Sequence, residues 1–281
     1  MHDIRKILLA TRQNQPSRHA ELRAALLSAQ LDIGAFDMIS LGQGGGAGAL
    51  RSVQPRPAAC VVAARAEEMG ADLTVLAPQR RNAFLELIAP SDSEEIIRRS
   101  RNAVLVVQRA PAAHYRRVLV AVDFSQSAFD AARVALALAP GAHLSFLHAY
   151  SLPDEGLMRE FEVPASVIEA YRMRGVDSAR ERLSAWIDAL KPMRQPRARA
   201  VHSGLPLPAI RSCARRIGAD LIVVGRRGDG GSGRDALGTV PRRLAREAGC
   251  DLLIGPAALA RVARRAAYAV SGAAVPDKGN P

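Results

Sequence analysis

The stretch of this chain best suited to chemistry is Gly225-Arg226-Arg227-Gly228, followed after nine intervening residues by Gly238-Thr239. Phosphate oxygens are held by backbone N–H groups that a Cβ would screen, and glycine removes the Cβ. A helix opening at Gly238 adds amides without intrahelical acceptors and a partial positive charge, which together attract an anion. Thr239 brings a hydroxyl that can cap that helix or donate to a phosphate. Upstream, an apolar β-branched run at 118–122 ends in Asp123, a carboxylate suited to the hydroxyl or amine groups of a nucleoside. Glycines alone also fit an ordinary turn, and Gly230, Gly231 and Gly233 a plain loop. Their place between a strand and a helix is what gives them weight.

Those residues need a scaffold, and the pattern around them supplies one. Residues 118–122 read as a buried strand and 127–138 as a helix stopped by Pro140-Gly141. A second strand covers 144–149. A long helix follows at 163–190, with Pro164 near its start and Lys191-Pro192 at its end. The third strand, at 198–201, is weak. A helix at 208–217 closes on Gly218, a fourth strand covers 221–224, a helix 238–247 and a last strand 251–254. Strands alternating with helices give an α/β fold, a doubly wound parallel sheet. In such a sheet ligands bind at the carboxyl ends of strands where the winding reverses. If the first and fourth strands are neighbours there, Asp123 and Gly225 flank one crevice.

The chain also repeats itself. Ile4-Arg5-Lys6-Ile7-Leu8-Leu9-Ala10-Thr11 aligns with Tyr115-Arg116-Arg117-Val118-Leu119-Val120-Ala121-Val122 at an offset of 111. Gly70-Ala71-Asp72-Leu73 matches Gly218-Ala219-Asp220-Leu221 at an offset of 148, and that offset continues from residues 102–107 to 250–255. Two collinear blocks in one order imply two copies of a domain, the first shortened in its middle by about the difference of the offsets. The expected boundaries are 1–109 for a shortened first copy and 115–256 for a second carrying the nucleotide site. Between them, residues 109–114 with Pro111 form a linker. A basic tail occupies 257–281, where Arg261, Arg264 and Arg265 beside Leu259, Val262 and Ala266 read as a solvated segment.

The second copy resembles the universal stress protein family. Gly225, Gly228, Gly238 and Thr239 fit its pattern of Gly, two residues, Gly, nine residues, Gly and Ser or Thr. Val120-Ala121-Val122-Asp123 and Gly218-Ala219-Asp220-Leu221-Ile222-Val223-Val224-Gly225 resemble it too. The likeness covers nearly all of 114–256 and, more weakly, 3–109. It implies two tandem five-stranded sheets of the adenine nucleotide α-hydrolase-like type, each in strand order 3-2-1-4-5. It further implies that Asp123 holds the nucleoside and that the backbone of Ala149, after strand two, meets adenine. Gly225, Gly228, Gly238 and Thr239 would then cradle ribose and phosphates, with an added N–H from Val240. Pro241 departs from the family's usual residue but is tolerated in a helix's first turn.

The first copy lacks this equipment. At the same offsets Gly225, Gly228 and Gly238 become Ala77, Arg80 and Pro90, Asp123 becomes Arg12, and only Ser91 keeps the hydroxyl of Thr239. One nucleotide site per chain is the expectation, the first copy packing on the second as an intramolecular pseudo-dimer, with a further homodimer open.

Other function classes fare worse. The 281 residues are 48% hydrophobic and 23% charged, an ordinary globular mixture that argues against disorder. No apolar run reaches the ~18–20 residues of a membrane span. Residues 7–10 are too short an apolar stretch for a secretory signal. Cys60, Cys213 and Cys250 are odd in number and widely spaced, which fits buried thiols in a reducing cytoplasm. The net charge of +12 rests on 39 Lys and Arg, all but Lys6, Lys191 and Lys278 being arginine. With 4% aromatics and no basic block, that points to incidental polyanion affinity and not to specific nucleic-acid binding. Gly42-Gln43-Gly44 with Ala47 imitates a dinucleotide fingerprint but lacks the acid about 20 residues on, and reads as a loop. The six histidines show no metal spacing. His148 reads as a structural hydrogen bonder at a strand end, and Cys213 as core.

The expectation is therefore a cytoplasmic stress-response protein that binds ATP, with or without Mg2+, as a regulatory ligand read by an unidentified protein partner. Binding would order residues 229–237, and Arg226, Arg227 and Arg234 would either add phosphate contacts or stand solvated on the loop. Hydrolysis would be slow or absent. A weak ATPase and a nucleotide-free tandem scaffold are the alternatives.

Overall fold

The computed structural model describes residues 4–12, 17–41, 57–77, 92–152, 155–190, 195–228 and 237–257. The expected loops at 42–48 and 229–236, the tail beyond Ala257, and Arg80, Pro90, Ser91 and Arg234 lie outside them. In the first half the order is β1 (Ile7–Arg12), α1 (Arg18–Gln30), β2 (Asp37–Leu41), α2 (Ala58–Met69), β3 (Leu73–Leu76), α3 (Asp92–Arg99) and β4 (Ala103–Val106). The second half follows with β5 (Arg117–Ala121), α4 (Gln126–Leu138), β6 (His143–Tyr150), α5 (Glu155–Glu160), α6 (Ala165–Asp188), β7 (Arg197–Ser203), α7 (Pro206–Ile217), β8 (Leu221–Val224), α8 (Thr239–Glu247) and β9 (Asp251–Ile254).

Among the described residues, nine strands form one sheet in the order β2-β1-β3-β4-β9-β8-β5-β6-β7. The α/β class stands, but the two expected sheets are joined edge to edge. Every pairing is parallel except β4 with β9, where Leu105 faces Leu253 across an antiparallel seam. The first half contributes four strands. Counted within the second half, the order is 3-2-1-4-5, and the winding reverses between β5 and β8. The predicted helix at 163–190 is α6, the short α5 before it falls where no helix was expected, and the third strand is longer than its weak pattern suggested.

Helices cover both faces. Ala20, Ala24 and Leu27 of α1, Ala131, Ala135 and Leu138 of α4, and Leu183 and Ile187 of α6 share one apolar layer. The opposite layer holds Ala59 and Val62 of α2, Ile96 and Ile97 of α3, Ile210 and Cys213 of α7, and Leu244 of α8. The inner strands β3, β4, β8 and β9 are buried along their whole length. That is why they read as unbroken apolar runs, without the alternation of a half-exposed strand. Gly175, in the interior of α6, admits the Tyr150 ring, whose hydroxyl would stand 1.9 Å from a Cβ there.

The repeated Gly-Ala-Asp has a structural purpose. Gly70 and Gly218 end α2 and α7 in the left-handed region, at φ 64° and 60°, where a Cβ is disfavoured. Two residues on, Asp72 accepts from the amides of Arg5 (2.9 Å) and Lys6 (3.1 Å), and Asp220 from those of Arg116 (2.8 Å) and Arg117 (3.1 Å). Each aspartate thus ties a strand start to a helix end.

The seam is held by a buried polar cluster. Asp251, 2% exposed, accepts from Arg23 Nε (3.1 Å), the Tyr115 hydroxyl (2.7 Å) and the Gln108 amide (2.9 Å). Arg23 also lies over the Tyr115 ring at 4.0 Å and donates to the carbonyl of Ala113. One carboxylate therefore gathers α1, the connecting segment and β9. Burial pushes the Tyr115 hydroxyl well above its ordinary value, so it remains a donor.

Candidate functional site

The reversal point places Asp123 at the end of β5 beside Gly225 at the end of β8. Asp123 is exposed and held by its own turn. Its Oδ1 accepts from the Ser125 amide (2.9 Å) and hydroxyl (2.6 Å), while Ser125 Oγ caps α4 by accepting from Ala128 N (3.1 Å). The intervening Phe124 adopts φ 66°, an uncommon conformation for a bulky side chain. Its ring rests against His148 (4.4 Å) and under the Arg182 guanidinium (4.1 Å). His148 donates from Nδ1 to the carbonyl of Val122 (2.7 Å), the structural role expected of it.

The other oxygen of Asp123 faces the glycines. A Cβ on Gly228 would stand 3.3 Å from Asp123 Oδ2. Gly238 closes the far side, its amide donating to the carbonyl of Arg226 at 3.0 Å. It is the N-cap of α8, at φ −62° and ψ 160°, with no side-chain bond to the first turn. The amides of Thr239 and Val240 consequently lack an intrahelical acceptor or a cap. Thr239 does not cap the helix, as its sequence allowed, because it already stands inside it. Its side chain is exposed beside those amides. Pro241, in the same turn, has no N–H to leave unsatisfied.

The three motif glycines have different reasons to be glycine. At Gly225 a Cβ would lie 2.7 Å from Ala128 N and 3.1 Å from Ala128 Cα, backbone of the first turn of α4. Gly225 serves helix-on-strand packing. Gly228 and Gly238 border the crevice itself. Ala149 lies near the end of the neighbouring strand β6, paired with His202 of β7, and packs on the same apolar layer as Ala121 and Val240.

One expected phosphate contact is corrected. Arg226 is 4% exposed and turns away from the crevice, towards the first half. Its guanidinium donates to the carbonyls of Ile97, Asn102 (3.2 Å) and Gly255 (3.2 Å). Burial, and secondarily the charge of Arg227, bring it down to about 10, so it remains a cation near neutrality. In so arginine-rich a chain nothing in the sequence marks this residue. Two further supporting residues also escaped the sequence reading. Ser127 Oγ accepts from the Arg226 amide at 2.6 Å, and Gly255, where a Cβ would meet Ala131 Cβ at 2.8 Å, lets α4 settle over β9.

This geometry bears comparison with known proteins. The universal stress protein family matches residues 114–256, half of the chain. The chain belongs to the universal stress protein family. A functionally unknown protein from Pseudomonas aeruginosa PAO1 has a similar structure, with a TM-score of 0.62 at 15% identity, covering 95% of this chain and 98% of the other. A universal stress protein from Archaeoglobus fulgidus gives a TM-score of 0.59 at 17% identity over 91% and 97% of the two chains. A putative universal stress protein from P. aeruginosa UCBPP-PA14 gives 0.59 at 16%, over 95% and 99%. These likenesses concern the fold, and they extend over both halves. No curated protein matches the chain. Among the described residues no helix of this universal stress protein is long and apolar enough to cross a membrane.

Proposed function

We propose that this universal stress protein binds one ATP per chain in its second half, as a regulatory ligand with little or no hydrolysis. The observation that carries the reading is the uncapped first turn of α8, set against an acceptor. Gly238 leaves the amides of Thr239 and Val240 available to phosphate oxygens, and the free oxygen of Asp123 faces Gly228 across the entrance. The ribose hydroxyls would fall to Asp123, the phosphates to Gly228, Gly238, Thr239 and Val240, and adenine to the backbone of Ala149. A cation such as Mg2+ would arrive on the phosphates, since the described residues hold no group of three His, Cys, Asp or Glu side chains able to bind one. Asp123 favours a ligand over a substrate: Ser125 holds Oδ1 with two hydrogen bonds, which fixes the carboxylate as an acceptor.

We read the two halves as tandem copies, residues 1–109 being degenerate and 115–256 active. β3 and β8, β4 and β9, and α2 and α7 begin and end at the same 148-residue offset. Ala77 stands where Gly225 does, and Arg12 where Asp123 does. The free thiols of Cys60, Cys213 and Cys250 support a cytoplasmic protein. A regulatory ligand further implies a protein partner that reads the bound state.

Denaturing the purified protein, identifying any released nucleotide by chromatography, and titrating the stripped protein with Mg-ATP tests the reading. About one nucleotide per chain is expected, lost in Gly238→Val without unfolding. Two per chain would overturn the degenerate first half. No binding by the folded protein would move the function to a nucleotide-free scaffold. Turnover of labelled ATP at stoichiometric protein would establish an ATPase instead.

A further inference from the structure

Arg226 connects the two halves where the connection bears on the site. Its side chain leaves the second half and ends among carbonyls, two of them in the first: Ile97, in the last turn of α3, and Asn102, just before β4. Those groups are held in turn. Ile97 is fully buried, and the Asn102 side chain donates to Thr74 Oγ1 of β3 at 2.9 Å. The backbone of Arg226 meanwhile sets the crevice. Its amide is fixed to Ser127 on α4 and its carbonyl receives Gly238, the N-cap of α8. A second tie runs parallel, Arg246 of α8 pairing with Glu94 of α3 at 2.8 Å. The spacing between the Gly225–Gly228 turn and the first turn of α8 thus depends on a residue whose side chain the first half grips.

We propose that Arg226 is a positioning residue through which the first half sets the geometry of the nucleotide site in the second. The proposal rests on the nucleotide reading above. It gives the half without the motif glycines a part in binding: α3 and the 100–102 turn hold the loop as a partner subunit would. Coupling is reciprocal, so a nucleotide that tightens the loop also tightens α3. A buried guanidinium suits this, because its planar fork reaches several carbonyls at fixed angles, which an ammonium cannot do.

The test uses the full chain and the variants Arg226→Met and Arg226→Lys, with Mg-ATP calorimetry and amide hydrogen exchange. Arg226→Met is expected to weaken ATP at least about tenfold, to speed exchange at Gly238 and across 95–102, and to abolish the slowing of exchange in α3 that ATP causes in the wild type. Arg226→Lys recovers part of the affinity. Where Arg226→Met does not fold, Arg226→Lys alone is expected to fall measurably below wild type on every readout. A folded variant with wild-type affinity and wild-type exchange at Gly238 overturns the proposal and leaves Arg226 a strut of the seam. If the wild type binds no ATP, the nucleotide reading fails by itself. Exchange at Gly238 in Arg226→Met then decides whether the first half sets the loop, and unchanged exchange refutes it.

Discussion

Gly225 and Gly228 are interchangeable in the sequence motif and opposite in the structure, and alanine at each separates packing from ligand binding. At 225 the new methyl would stand 2.7 Å from Ala128 N and 3.1 Å from both Ala128 Cα and Ser127 C. All three are backbone atoms of the first turn of α4, so no side chain can swing aside and the helix itself must move. Overpacking of that kind costs about 1–3 kcal/mol. On a chain of this size each kcal/mol lowers the midpoint of thermal unfolding by about 2–4 °C. At 228 the nearest atom is Asp123 Oδ2, at 3.3 Å and at the end of a side chain, and the backbone is outside the left-handed region. Gly228→Ala should stay within about 0.5 kcal/mol of wild type. Its methyl nevertheless occupies the mouth between the carboxylate and the amides of α8, so ATP should weaken about tenfold or more. Thermal melts and calorimetric titration of the two variants together make the measurement. A Gly225→Ala protein with an unchanged midpoint, or a Gly228→Ala protein destabilised as much as Gly225→Ala, would refute the division of labour.

Further consequences concern the seam, the thiols and the surface. Tyr115→Phe removes one of the hydrogen bonds to the buried Asp251 carboxylate and should cost about 1.5–3 kcal/mol in urea unfolding. Asp251→Ala leaves Arg23 buried without its counter-charge and should cost about 3–5 kcal/mol. Because β4 and β9 are paired within one sheet, both losses should appear in a single unfolding transition; two separated transitions would show that the halves melt independently. The Cys250 thiol is pushed up to about 12, first by burial and then by Asp251, so native alkylation near pH 8 should label the partly exposed Cys60 and spare Cys250. The same shift contributes stability that is fully present below the free thiol's value and is lost as pH climbs from about 9 towards 12, measurable as a urea midpoint that falls more steeply than in Cys250→Ala. Glu95 is held down to about 2, chiefly by the hydrogen bond from Arg98, and its contribution is therefore present above the ordinary carboxyl range and lost as pH falls through about 2. Since it lies near the surface, Glu95→Gln should cost only about 0.5–1 kcal/mol at pH 7, and nothing at the acid end.

The elements around the site were legible because buried parallel strands leave unmistakable runs. Leu221-Ile222-Val223-Val224, closed off by Gly218 before it and Gly225 after it, admits few other readings. The candidate site is legible for a related reason, since the contacts proposed for it lie mostly in backbone amides, and the only sequence mark such a site leaves is the absence of Cβ. That mark is blind to cause, which is why Gly225, wanted for helix packing, was grouped with Gly228 and Gly238, wanted at the crevice. Nothing local could reveal the seam. An antiparallel join between β4 and β9 is made by two apolar runs that look like any other inner strands, and the polar cluster locking it brings Arg23 and Tyr115 to Asp251 from 228 and 136 residues away.

Arg226 shows where reading by residue type fails. An arginine between two phosphate-motif glycines is the natural candidate for a phosphate contact, and chemistry alone would keep it there. What removes it is the neighbour: a second half-sheet whose α3 ends with the Ile97 carbonyl within reach of the loop. A lone second half would leave that guanidinium only the carbonyl of Gly255. With the first half in place it is bound by carbonyls and the loop is braced from behind. The absence of the motif glycines and of the acid at the matching positions of the first half is thus compatible with a first half that still bears on the site. On the proposal above, its contribution would run through α3 and the turn at 100–102, which need the sheet and helix packing but not the motif.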